Sequence, residues 1–90
     1  MDKRITAIAE HYGYEKQSQQ CIEEMAELTK AICKYQRAGK VPGTEYADLI
    51  EEVADVEIMI KQLKYLLGPA DVDEMVGKKL DRQMKRMGEE

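Results

Sequence analysis

Helix-breaking residues interrupt this chain at three places: Gly13, the stretch Gly39-Lys40-Val41-Pro42-Gly43, and Gly68-Pro69. Between them lie segments long enough for several helical turns, with apolar residues three and four positions apart. Strand signals are missing: β-branched residues do not alternate with polar ones, and no Asn-Gly or Asp-Gly turn occurs. The spacing therefore predicts an all-α chain of four helices. The first covers about residues 2–12 and ends near Gly13. The second runs from about residue 15 to 38 and stops at Gly39, the preferred position after a helix. The third, about 45–67, is capped by Thr44 and terminated by Gly68-Pro69. The fourth is capped by Asp71, with Glu74 three residues on as an Asp variant of the capping box, and ends near Gly88. Connections this short imply a four-helix bundle. Gly77, inside the fourth helix, costs about 1 kcal/mol relative to Ala and marks either a close approach by another helix or a ligand, or nothing at all.

Ninety residues make one domain, spanning 1–90, with a thin core. No Phe or Trp is present to enlarge that core, and oligomerisation through the helices is its natural supplement. The third helix supports this, because its apolar positions occupy the 49/53/56/60/63 seam and also Ile50, Ile58, Met59 and Leu66. A homodimer or homotetramer is the expectation. The net charge of −4 argues against sequence-independent binding to nucleic acid. No apolar run reaches the ~20 residues needed to span a bilayer, so no membrane partner is expected. The opening residues MDKRITAIAEHYGY lack a signal-peptide pattern, and a cytoplasmic location is expected. Cys21 and Cys33 form no metal pattern; both fall on apolar faces and read as buried thiols.

An acidic octet is written twice. CIEEMAEL, residues 21–28, returns as LIEEVADV, residues 49–56, with identity at Ile22/Ile50, Glu23/Glu51, Glu24/Glu52 and Ala26/Ala54 and a conservative match at Glu27/Asp55. On a helix, residues three apart share a face, so Glu24 projects with Glu27 and Glu52 with Asp55. Met25, Leu28 and Ile32 make an apolar seam on one helix and Leu49, Val53, Val56, Ile60 and Leu63 one on the other, with the acidic pairs on the flanks. Four converging carboxylates repel one another, so they either face water or share a divalent cation. All-oxygen ligands suit Mg²⁺ or Mn²⁺. A di-iron site needs Glu-x-x-His motifs, and the one histidine, His11, does not follow a motif Glu at that spacing.

The motif Glu23-Glu24-x-x-Glu27, followed after 24 residues by Glu52-x-x-Asp55, resembles that of the MazG-like nucleoside triphosphate pyrophosphohydrolases. These belong to the all-α NTP pyrophosphatase superfamily, with the dimeric dUTPases and dCTP pyrophosphatases. The likeness runs from about Gln17 to Arg86, and the internally duplicated look of the family's helical hairpins would account for the repeated octet. It implies that Glu24, Glu27, Glu52 and Asp55 hold Mg²⁺, for which Mn²⁺ can substitute. Water then cleaves a (deoxy)nucleoside triphosphate between the α- and β-phosphates, releasing a monophosphate and pyrophosphate, in nucleotide-pool cleansing. Glu23 would take an outer or proton-accepting role.

The basic run Lys78–Arg86 reads either as a solvated face at a helix C-terminus or as a phosphate clamp. In the family a Lys on this helix is followed by Asn four residues later and then by basic residues. Lys79 and Arg86 match the Lys and a basic position, Gln83 stands where Asn is common, and Arg82 and Lys85 are alternative phosphate ligands. For the base, the resemblance points to His11, Tyr12, Tyr14, Gln17 and Gln20, while Tyr35, Tyr46 and Tyr65 read as packing. The alternative from another class is a catalytically silent helical interaction module that keeps the acidic motif as surface charge.

Overall fold

A computed structural model describes all 90 residues. The chain is all-α, with three helices and no strands: α1 (Lys3–Arg37), α2 (Thr44–Leu67) and α3 (Pro69–Glu89). The four-helix bundle is corrected on two counts. First, the break expected at Gly13 is present, since Gly13 alone departs from helical geometry (φ 83°, ψ 169°), but it is a kink with no loop and helix resumes directly after it. A positive φ is open to glycine without a Cβ clash, so one residue bends the element without a loop. The two expected N-terminal helices are thus one kinked element. Second, α3 does not pack against α1 and meets α2 over a small area. No residue of α3 is buried.

Two expected caps also change. Gly43 holds the cap position of α2 and Thr44 is its first helical residue, with no side-chain cap bond. Helix α3 begins at Pro69 rather than after Asp71. Proline's fixed φ suits a first helical position, where its missing N–H would have no partner anyway. Gly68, at φ 126°, makes the corner between α2 and α3, a conformation that other residues rarely adopt. An ion pair between Lys64 and Asp73, 2.5 Å, spans this corner.

Helices α1 and α2 form an antiparallel hairpin. Its register is pinned by a buried hydrogen bond from Gln17 Nε2 to Gln62 Oε1, 2.8 Å. Gln62 in turn donates to Met59 Sδ, 3.6 Å. At the far end of the hairpin Tyr35 and Tyr46 meet, their ring centroids 5.9 Å apart. At the near end the Tyr65 hydroxyl donates to Glu10. The packed stripe on α1 is Gln17, Cys21, Glu24, Leu28 and Ala31; on α2 it is Leu49, Glu52, Asp55, Val56, Met59 and Gln62. This differs from the expected seams: Met25, Ile32, Val53 and Ile60 face outward. Cys33 is also exposed, contrary to expectation, while Cys21 is buried and its thiol pKa is raised by that burial.

Only six of the 90 residues are buried. The accessible surface is 6972 Å², against about 5,400 Å² for a compact chain of this mass. The radius of gyration is 16.0 Å, against about 12 Å for a compact domain of this length. The surplus lies in exposed apolar side chains, including Ile22, Met25, Ile50, Val53, Leu80 and Met84. No helix is long and apolar enough to cross a membrane.

Candidate metal centre

The hairpin register explains the repeated octet. Gln17 faces Gln62, and each further step along α1 meets a residue the same distance back along α2. Glu24 therefore lies with Asp55, and Glu27 with Glu52. Because the octets stand 28 residues apart, the antiparallel pairing sets the acidic turn of one against the acidic turn of the other. The acidic turn is thus present on both helices at the point where they face one another.

Carboxylate oxygens of Glu24, Glu52 and Asp55 lie within 4.8 Å of one another, and all three residues are half-buried. They sit in the packed stripe itself, closer to the seam than the flank position expected. Gln20 Nε2 donates to Glu24 Oε1, 2.8 Å, and fixes that carboxylate from one turn away. Glu52 Oε2 is closed off from solvent and has no hydrogen-bond partner. Loss of solvation pushes the Glu52 pKa up, reinforced by the charges of Asp55, Glu24, Glu27 and Glu51. A carboxylate with one oxygen enclosed and unpartnered, clustered with two further carboxylates, is an unfavourable arrangement for a bare protein.

The donor set fits a hard divalent cation. All three ligands are oxygens, and around bound Mg²⁺ neighbouring oxygens stand roughly 3 Å apart. The three oxygens, up to 4.8 Å apart, stand wider than that, so the carboxylates would have to draw together around an ion. Glu27, the fourth expected ligand, is outside this group; its side chain is exposed and 4.0 Å from Lys30 Nζ. Glu23 is exposed and lines a separate cleft of about 500 Å³ with Tyr12, Lys16, Gln17, Gln19 and Gln20. Gln20 joins that cleft to a smaller one of about 150 Å³ between Glu24, Asp55, Ile58 and Met59.

Of the expected base contacts, Gln17 and Gln20 line the larger cleft. The Gln17 amide nitrogen is already committed to Gln62, and that of Gln20 to Glu24. His11 stacks edge-on against Tyr12, centroids 4.6 Å apart, and both are exposed. Tyr14 is exposed as well. Lys79, Arg82, Gln83 and Arg86 are all exposed on α3, and this single chain does not bring their helix to α1. At about 100° per residue, Val72, Val76, Leu80, Met84 and Met87 fall on one α3 face. Lys78, Arg82 and Lys85 point the opposite way, and Lys79 and Arg86 lie at the edge of the apolar face. An added Cβ at Gly77 meets nothing within 4 Å, so no helix approaches closely there.

Sequence reasoning missed the groove beyond Glu52. It has a volume of about 190 Å³ and takes Glu27, Lys30, Ala31 and Lys34 from α1 and Glu45, Asp48, Glu51 and Glu52 from α2. Spacings of three and four from Glu27 would have selected Lys30, Ala31 and Lys34 once the register was known. No family model, curated protein or solved structure matches the chain.

Proposed function

We propose that this chain is a divalent-cation-dependent nucleoside triphosphate pyrophosphohydrolase that acts in nucleotide-pool cleansing as a homodimer or homotetramer. The observation that carries the reading is the Glu52 oxygen, enclosed without a partner beside Glu24 and Asp55 in the α1–α2 seam. The resemblance of the double acidic motif supplies the substrate class. Glu24, Glu52 and Asp55 would hold Mg²⁺ or Mn²⁺, with Glu27 able to join by a side-chain rotation. When bound, such an ion neutralises phosphate charge and acidifies a coordinated water. Gln20 orients Glu24, and a held ligand of this kind binds more tightly than a free one. The cleft beside Gln20 offers room for the nucleoside, with Tyr12 on its wall. Glu23, on the same wall, is the candidate proton acceptor for the attacking water.

The test is a panel of ribo- and deoxyribonucleoside triphosphates with pyrophosphate detection, paired with Mn²⁺ calorimetry. Hydrolysis that Glu24→Gln and Asp55→Asn both abolish, in proteins that still fold, is the expected result. Near-wild-type turnover in either variant at saturating Mg²⁺ would remove that residue from the site. One observation favours the second reading, a silent interaction module: α3 presents an apolar face that nothing in the chain covers. Failure to bind Mn²⁺ would select it.

A further inference from the structure

We infer that Lys30 and Lys34 of α1 hold the pyrophosphate end of the substrate, so that the triphosphate runs from the metal centre toward the α1–α2 turn. The inference rests on the metal reading of Glu24, Glu52 and Asp55. The groove that carries it is lined in part by Glu52, one of the three proposed ligands, and by Ala31 of the packed stripe. Its lining is almost wholly polar, and its walls differ in charge. Both ammonium groups stand on the α1 wall with one carboxylate, Glu27, while the α2 wall is wholly acidic, with Glu45, Asp48, Glu51 and Glu52. A bare phosphate would be repelled by that second wall, and a bare cation by the lysines. A phosphate already carrying a divalent cation satisfies both, oxygens toward α1 and metal toward α2.

Reach is favourable. Lys30 and Lys34 lie about 9 and 15 Å along the helix axis from Glu24. Helical side chains lean toward the N-terminus, which carries both ammonium groups back toward the triad. Lys34 makes no ion pair, and Lys30 only a long one to Glu27, 4.0 Å, so their charges are free for a ligand. The basic residues of α3 are not in this position, since their helix does not pack on α1. The opposite direction along α1 leads from Gln20 into the larger cleft, whose volume of about 500 Å³ suits the bulkier nucleoside.

The experiment is calorimetric titration with Mn²⁺ alone, then with pyrophosphate at saturating Mn²⁺. The proteins are the wild type, Lys30→Gln, Lys34→Gln, the double variant, Lys34→Arg and, as a control outside the groove, Lys61→Gln. A charge-assisted bond to phosphate is lost with each lysine, so pyrophosphate should bind roughly tenfold more weakly in each single variant and about a hundredfold in the double. Mn²⁺ alone should bind at least as tightly as before, because cations have left an acidic groove. Lys34→Arg should retain pyrophosphate and Lys61→Gln should match wild type. Equal pyrophosphate affinity in the wild type and the double variant overturns the inference, and if the wild type still hydrolyses triphosphates the proposed function stands. A wild type that binds no Mn²⁺ overturns both together. Loss of pyrophosphate binding in Lys34→Arg, with its melting temperature lowered equally, overturns the inference in favour of a packing role.

Discussion

Shortening Leu80 to Ala should weaken self-association without harming the isolated chain. Leu80 is 61% exposed and lies in the middle of the uncovered apolar face of α3. Full burial of a Leu side chain stabilises by about 1.5–3 kcal/mol. With about three-fifths of that surface still open, a partner could contribute about 1–2 kcal/mol at this residue. A two-fold interface counts each position twice, giving about 2–4 kcal/mol, or a rise in dimer Kd of roughly 30- to 700-fold. The available area agrees with a stable pair. Each chain exposes about 1,600 Å² beyond the expectation for a compact monomer, so two copies could bury about 3,200 Å², within the range of obligate homodimers. Ala is the best helix former, so α3 should keep its helicity in far-ultraviolet circular dichroism. Arg82→Ala, on the opposite face, is the control. Sedimentation equilibrium across nanomolar to micromolar concentrations is the assay. A wild-type mass of 10.3 kDa throughout, or equal association by wild type and Leu80→Ala, would refute the reasoning.

Three further outcomes are expected. The raised pKa of Glu52 means that the folded chain keeps a proton that the unfolded chain has already lost. Metal-free stability should therefore fall as pH rises from the ordinary carboxylate range through the higher folded value. Melts at successive pH values should show this slope in wild type and a flatter one in Glu52→Gln. Asp2, held to about 2 by Arg4, acts only in more acidic solution. Equal profiles in the two proteins would show that Glu52 is not the source. Gln17→Leu should cost about 1–3 kcal/mol by leaving a buried Gln62 oxygen unpaired, while adding Gln62→Leu should recover most of it. Urea titration of the three proteins measures the difference. Gly77→Ala should stabilise α3 by about 1 kcal/mol, which raises Tm by about 4–8 °C in a chain of this size; a scan showing a lower Tm would mean that something packs against Gly77.

The helices were legible because their breakers are few, and the acidic cluster because the octet recurs at a spacing that a hairpin can superpose. Rotation of each helix about its axis was not legible. Met25 and Ile32 on α1, and Val53 and Ile60 on α2, make apolar rows as plausible as the rows that actually meet. Periodicity identifies an amphipathic face but cannot rank two such faces on one helix. Gln17 and Gln62 misled in the other direction. Gln17 reads as a base contact and Gln62 gives no signal of its own, and only the register reveals that they satisfy one another inside the seam. Lys30 and Lys34 carry no signal for the same reason: the groove they line is completed by residues of the other helix. At Gly68-Pro69 the sequence allowed both a stop and a start, and one proline serves as the first residue of α3.

The seam contains two polar clusters handled in opposite ways, and the contrast bears on function. Gln17 and Gln62 are neutral, buried and paired at 2.8 Å. Such a pair fixes register at little net cost, since each amide regains within the fold a bond it had with water. Two turns along, Glu24, Glu52 and Asp55 share one small volume with a single stabilising amide, Gln20, and leave an enclosed oxygen unpartnered. Register does not require this, because the glutamine pair already sets it. Packing does not require it either, since Leu at these stripe positions would bury apolar surface where carboxylates crowd. A chain with only six buried residues has little stability to spare. Placing its least favourable electrostatics at the centre of its one packed interface is consistent with a site that binds a cation after folding. On that view the fold holds the ligands together against their own repulsion, and metal binding should return as added stability the cost of assembling them.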